Sequence, residues 1–192
     1  MKKRDSQLYE INAIGIIPCA AQVASPNQDD RPNQCDVNRA AIDMVVIHNI
    51  SLPPKQYGGN GITELFTNQL NPDEHPYYAD IYTAKVSSHF LIRRDGALIQ
   101  FVPCAKRAWH AGVSKWKNRE RCNDFSIGIE LEGCDFEEFE AVQYKVLNAL
   151  LQSLKNTYPI QYVVGHSDIA PGRKTDPGPF FHWSKVAEKQ SN

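Results

Sequence analysis

Two histidines each close a short apolar run. His48 follows Met44-Val45-Val46-Ile47, and His166 follows Tyr162-Val163-Val164-Gly165. Runs of this length and β-branched content read as buried strands, and strand ends in α/β sheets open onto the edge where ligands bind. Loop-forming residues come next in both places, 49–54 and 167–179, and the second loop carries Asp168, Arg173, Lys174 and Asp176. Two imidazoles and one carboxylate make a zinc site with a vacant coordination position, which hydrolysis requires. Zinc brings the pKa of bound water down to about 7 in such sites.

Chemistry alone leaves the carboxylate open. His166-Ser167-Asp168 is an HxD triplet, and with His48 it also matches the two-His-one-carboxylate set of non-haem iron oxygenases. Asp168 reads equally as a turn or helix cap. Asp176 sits in Thr175-Asp176-Pro177-Gly178-Pro179, where the prolines stiffen the loop and would hold one carboxylate orientation; an Asx turn is its plainer role. A strand over 125–131 places Phe125, Ile127, Ile129 and Leu131 on one face and Ser126, Gly128, Glu130 and Glu132 on the other. Glu130 is then a candidate general base facing a cleft, with Glu132 as competitor of the same parity and a solvated acid as the alternative. Lys174 is a candidate for charge against an oxyanion, or an exposed loop lysine.

The elements that must position these groups follow from patterning. Ile62, Leu65, Phe66 and Leu70 have helical spacing, stopped by Asn71-Pro72-Asp73. Residues 88–92 and 98–102 flank Arg93-Arg94-Asp95-Gly96, a hairpin signal. Over 139–155, Tyr144, Leu147, Leu151 and Leu154 recur at steps of three and four, with Val146 and Leu150 widening the stripe. A closing helix is expected over 183–189. The expected architecture is an α/β single domain, a central mixed β-sheet flanked by helices, with an irregular lead-in over residues 1–25 and the catalytic domain over 26–192.

Composition narrows the function. At about 100–200 residues per domain, 192 residues is one domain, and 42% hydrophobic with 22% charged residues is a globular rather than a disordered balance. Lys and Arg number 21 against 22 Asp and Glu, a net charge of -1, which argues against nonspecific nucleic-acid or membrane binding. The five cysteines, Cys19, Cys35, Cys104, Cys122 and Cys134, are odd in number and form no CxxC pair, against a disulfide framework or an all-Cys zinc site. They are expected to be inert free thiols of a reducing compartment. After Met1-Lys2-Lys3-Arg4, the unbroken apolar run Ala13-Ile14-Gly15-Ile16-Ile17 spans five residues before Pro18, short of the roughly 7–15 of a secretion signal. A cytoplasmic location is the expectation.

Five blocks then fall into one pattern, in order: VVIHNISLPP at 45–54, HFLIRRDG at 89–96, RAWHAGVS at 107–114, RERCNDFSIGIELEG at 119–133 and GHSDIAPGRKTDPGP at 165–179. Together they resemble the cytosolic 1,6-anhydro-N-acetylmuramoyl-L-alanine amidases, of the zinc amidase and peptidoglycan-recognition-protein superfamily. The resemblance runs from about Pro26 towards the C-terminus.

That resemblance implies one Zn²⁺ ion held by His48, His166 and Asp176, with Glu130 as the acid/base residue and Lys174 stabilising the tetrahedral oxyanion. It implies hydrolysis of the amide between the lactyl group of anhydro-MurNAc and L-Ala of the stem peptide, and through muropeptide levels an influence on β-lactamase induction. Asn49, Trp109, His110 and Arg173 match cleft positions of the family, and Tyr77 is a further wall. Lys85 stands where the family pattern has Arg and lacks the bidentate fork, so its pairing with a muropeptide carboxylate would be weaker. The partner expected is a small-molecule muropeptide, with no nucleic acid, membrane or obligate protein partner. The alternatives are an amidase acting on intact peptidoglycan outside the cytoplasm, a non-catalytic peptidoglycan-binding module, which loss of a ligand would mark, and the iron oxygenase.

Overall fold

The computed structural model describes residues 8–32 and 41–187. The basic start at Met1-Lys2-Lys3-Arg4, Cys35 and the last residues of the expected closing helix lie outside the described residues.

The sheet grows from its most apolar sequences. Strand β3 (Met44–Ile50) is completely buried from Met44 to His48, as a strand covered on both faces must be. It pairs in parallel with β9 (Ser126–Glu132) along its whole length, and with β10 (Tyr162–Gly165) on its other side. Strand β4 (Phe90–Ile92) lies parallel to β9, and β5 (Leu98–Gln100) returns antiparallel to β4 through the Arg93-Arg94-Asp95-Gly96 turn. Gly96 has φ +87°, which that turn needs and glycine supplies without strain. The full order is β1-β5-β4-β9-β3-β10, β1 being Ala21–Gln22; β2 (Gln28–Asp30) pairs with β6 (Lys106–Ala108), and β7 (Lys115–Trp116) with β8 (Arg119–Glu120), in two separate ribbons. Because β4, β9, β3 and β10 all run the same way, the ends of β9, β3 and β10 reach one edge. That edge collects Glu130, His48 and His166 from three separate stretches of chain.

Side-chain parity assigns the two faces. Val45 and Ile47 of β3, with Ile127, Ile129 and Leu131 of β9, pack in one cluster with Leu147, Leu150, Leu151 and Leu154 of the long helix. That helix, α3 (Ala141–Thr157), starts at the reciprocal Glu140–Gln143 capping arrangement. A Leu→Ala change in such a cluster costs about 2–5 kcal/mol. On the opposite face Met44 and Val46 pack with Ala111, Cys122, Phe125, Val164 and Ile169. A third cluster joins Leu91 to Leu52, Ile62, Leu65, Phe66 and Tyr78, and so brings helices α1 (Gly61–Phe66) and α2 (Pro76–Ile81) beside the site edge. The expected single domain with a mixed sheet and flanking helices is the fold observed.

Several elements differ from expectation for local reasons. Helix α1 ends at Phe66, short of Leu70, where Asn68 takes φ +60°, a conformation asparagine tolerates. Helix α2 is too short to leave a period in the sequence; its signal is Pro76 at the first helical position after His75, whose ring accepts the Tyr77 N–H at 3.1 Å. Residues 115–120 form a ribbon of Lys115–Trp116 with Arg119–Glu120, too short to leave a period in the sequence. The closing helix is a three-residue 3-10 turn, Trp183–Lys185. The lead-in is irregular in most of its described residues, yet Ile17 is fully buried and Ala21–Gln22 pair with Ile99–Gln100. Buried Gln100 ties it down, accepting the Ile17 N–H at 2.8 Å and donating to the Gly15 carbonyl at 2.7 Å.

Candidate active site

His48 lies in the last three residues of β3, and His166 opens a single four-residue helical turn, α4 (His166–Ile169), after β10. Asp176 reaches them from the loop beyond. His48 Nδ1 is 3.0 Å from His166 Nδ1 and 2.9 Å from Asp176 Oδ2, and His166 Nδ1 is 3.1 Å from that same oxygen. Three donor atoms therefore stand at the corners of a small triangle, and among the described residues they are the group able to hold a metal ion. Asp168 does something else. Its carboxylate accepts the Gly165 N–H at 2.7 Å, capping the turn that presents His166.

The electrostatics suit a cation. Burial lowers the His48 pKa to about 4, with His166 and Lys174 adding to that effect against the pull of Asp176. Burial also pushes the Asp176 carboxyl up, but its contacts with His166 and His48 outweigh this and leave it well below the ordinary carboxylate range. The carboxylate is thus ionised beside a neutral His48. His166 Nε2 is 3.1 Å from the Ala111 carbonyl, which can only accept, so the ring proton is on Nε2 and the Nδ1 lone pair faces the triangle. Converging nitrogen lone pairs beside an ionised carboxylate match a divalent metal ion bound by nitrogen and oxygen.

The loop bearing Asp176 is clamped. Asp135, just past β9, accepts Asn49 Nδ2 at 2.6 Å through Oδ1 and Thr175 Oγ1 at 2.5 Å through Oδ2. Asn49 Nδ2 also donates to the Pro177 carbonyl at 3.0 Å, and Ser167 N–H donates to the Asp176 carbonyl at 2.9 Å. Sequence reasoning passed over Asp135, whose one signal is an acid close behind a strand that already carries Glu130.

Above the triangle is a cleft of about 390 Å³. Its polar end is formed by His48, His166, Asp176, Glu130 and Lys174, and its apolar wall includes Leu52, Leu65, Phe66, Ile81 and Val86. Glu130 is 8% exposed and its Oε2 has no hydrogen-bond partner. Burial, with Asp176 nearby, raises its pKa well above the ordinary value, and Lys174 pulls the other way. A buried acid with an uncommitted oxygen at the end of a cleft can carry a proton. Glu132, its competitor, is buried and committed: it accepts from Arg93 Nη1, the Arg94 N–H and the Gly58 N–H at 3.0, 3.1 and 2.7 Å.

The expected substrate contacts divide. Tyr77 and Trp109 line the cleft. Asn49 lines it too, but both amide hydrogens have partners in Asp135 and Pro177. His110 borders the cleft, yet its Nδ1 is 3.0 Å from His48 Nε2 and its Nε2 is 3.1 Å from Ser126 Oγ. Both ring nitrogens are therefore engaged within the protein. Lys85 and Arg173 are not among the cleft-lining residues. Lys85 is exposed between Ala84 and Val86, which are. Arg173 donates to the Ala111 and Val113 carbonyls at 3.0 and 2.6 Å.

Comparison with known proteins agrees with this geometry. A family model described as N-acetylmuramoyl-L-alanine amidase matches residues 38–179. The 1,6-anhydro-N-acetylmuramyl-L-alanine amidase AmpD of Escherichia coli K12 is 51% identical over 173 residues, 89% of this chain and 92% of that protein. A crystal structure of a selenomethionine AmpD derivative superposes with a TM-score of 0.86 at 49% identity, covering 92% of this chain and 96% of that one. The E. coli amidase AmiD, solved with the substrate anhydro-N-acetylmuramic acid-L-Ala-D-γ-Glu-L-Lys, gives a TM-score of 0.56 at 33% identity over 81% of this chain and 59% of its own.

Proposed function

Since the chain belongs to the N-acetylmuramoyl-L-alanine amidase family, we propose that it is the zinc-dependent enzyme that cleaves the lactyl–L-Ala amide of 1,6-anhydro-N-acetylmuramoyl peptides during cytoplasmic peptidoglycan recycling. The observation that carries this reading is the triangle of His48, His166 and Asp176 at the end of a cleft shared with Glu130. The relatives named for the anhydro-muramyl substrate support the choice of amide, as does the solved AmiD complex with an anhydro-muramyl tripeptide. No helix among the described residues is long and apolar enough to cross a membrane.

His48, His166 and Asp176 would hold the ion. Bound there, zinc supplies Lewis acidity and a water acidic enough to ionise near neutral pH. Glu130 takes the proton from the attacking water through its uncommitted Oε2 and returns it to the L-Ala nitrogen as the amide breaks. A pKa raised by burial suits a group that must do both. Lys174 places positive charge where the carbonyl oxygen becomes negative. Tyr77 and Trp109 flank the muropeptide, and Asn49 serves the site chiefly through Asp135 and Pro177. Lys85 and Arg173 would meet substrate carboxylates from outside the cleft proper.

The test is incubation of the purified protein with anhydro-MurNAc-tripeptide, with and without a chelator, and reading of products by mass. Release of anhydro-MurNAc and free tripeptide only in the metal-replete sample is expected. No cleavage by metal-replete protein overturns the proposal. Equal turnover of intact wall sacculi would favour an enzyme of the cell wall over one of recycling. Iron in the purified protein with an oxidised product would instead mark an oxygenase.

A further inference from the structure

We propose that the dipeptide His110-Ala111 sets the tautomer of both imidazole ligands, with His110 and Ser126 acting as positioning residues that keep the His48 Nδ1 lone pair free for the metal. The proposal rests on the metal-centre reading above and deepens it.

Donors and acceptors run in one chain from the Cys122 carbonyl through Ser126 and His110 to His48. Ser126 Oγ is 2.6 Å from the Cys122 carbonyl oxygen. A carbonyl only accepts, so the hydroxyl proton lies there. Ser126 Oγ must then accept from His110 Nε2, 3.1 Å away, which places the His110 proton on Nε2. His110 is buried edge-on against the rings of His48 and His89 and faces no carboxylate, so it is neutral and its Nδ1 carries a lone pair. His48 Nε2 stands 3.0 Å from that lone pair and must donate to it. The neutral His48 ring therefore has its proton on Nε2, and its Nδ1 faces His166 and Asp176 unprotonated.

The chain has a competitor. Asp176 Oδ2, 2.9 Å from His48 Nδ1, would draw the proton to Nδ1, where it blocks coordination. That arrangement needs the whole chain reversed, with the Ser126 hydroxyl turned from Cys122 towards His110. The Cys122 carbonyl would keep only the Phe125 N–H at 3.3 Å. A carbonyl far from the metal thus biases the proton on a ligand.

The same dipeptide governs the second ring. The Ala111 carbonyl takes the proton of His166 Nε2 at 3.1 Å. Asn123 Oδ1 anchors the pair by accepting both backbone N–H groups, from His110 at 3.2 Å and Ala111 at 2.8 Å. Gly128 on β9 makes the room: a Cβ there would stand 2.5 Å from His110 Cγ.

Two measurements test this on the full chain. Histidine ¹⁵N resonances of the metal-free protein at pH 7.5 report the tautomer directly, and zinc affinity is read by competition with a chelator. We expect His48 protonated on Nε2 in the unaltered protein. Ser126→Ala and His110→Phe should each weaken zinc binding about 10–100-fold and move the His48 proton to Nδ1, while Ser126→Thr, which keeps the hydroxyl, restores both. His48 protonated on Nδ1 in the unaltered protein overturns the proposal, a result that needs no variant to fold. So does unaltered zinc affinity in both variants when their circular dichroism is native. If the unaltered protein takes up no zinc, the metal reading fails, and the resonances still decide the tautomer.

Discussion

Glu130 and His48 are direct neighbours in register on two parallel strands, β9 and β3. Strand geometry therefore fixes the acid beside the metal-binding triangle without making it a member. Replacing it should separate chemistry from binding. Glu130→Gln is expected to lower kcat by about 10²–10⁴-fold, the usual contribution of a general acid–base group. Zinc content should stay the same and the thermal midpoint should not fall, because Gln removes a buried acid with an uncommitted oxygen. Near-normal turnover in this variant removes the role assigned to Glu130.

Asp176 carries the charge of the triangle, and its replacement should act on the metal first. Free zinc at about 100 times its Kd adds about 2.7 kcal/mol to the stability of a chain that binds it only when folded. Asp176→Asn should lose that zinc-dependent rise in thermal midpoint along with activity. A variant still stabilised by zinc to the same extent would place the ion elsewhere.

How much of this was legible in the sequence depends on the range of the forces involved. Strands β3, β9 and β10 and the long helix could be read because burial imposes a period on neighbouring residues. The His48–His166 pair followed from strand ends alone. The choice of Asp176 over Asp168 did not: the cap that occupies Asp168 is local and was one of its readings, but the clamp that presents Asp176 is tertiary. His110 entered only through the family resemblance, as a cleft position; its hydrogen bonds to His48 and Ser126 and the close approach of Gly128 are tertiary and leave no local signal. The polar face of β9 misled in the same way. Its alternation suggested an open face, yet Ser126, Glu130 and Glu132 are all buried, under His110, the cleft and the Arg93-Arg94 turn. Helix α2 and the 115–120 ribbon were too short to show any period.

Asp135 should matter without touching the metal. Its two oxygens hold Asn49 and Thr175, the residue before Asp176. In Asp135→Ala the loop loses that tie, and the ligand carboxylate must be ordered at the moment of binding. Zinc affinity is expected to fall about 10–100-fold, in line with other residues that orient ligands, with His48 and His166 unchanged. Chelator competition checks this; affinity equal to the unaltered chain would show that Pro177 and Ser167 suffice to place Asp176.

Acid should destabilise the metal-free chain earlier than carboxylate titration alone would. His48, His89 and His110 all have pKa values lowered in the fold, with burial the largest cause for each. Below about pH 6.5 the unfolded chain binds protons at these three rings that the folded chain refuses, so their contribution is complete above that pH and is lost as pH falls. Glu130 works in the opposite sense. Its pKa is raised in the fold, so its contribution to the folded state is complete below about pH 4.5 and is lost as pH rises through the raised value. Three protons against one leave a net of about two, on the order of 2–3 kcal/mol of stability lost per pH unit between pH 6 and 5. Urea unfolding midpoints of the metal-stripped protein at pH 7.5, 6 and 5 measure the slope. A midpoint that stays level across that range means that the buried rings accept protons in place, and the neutral network from Cys122 to His48 would not be the resting state.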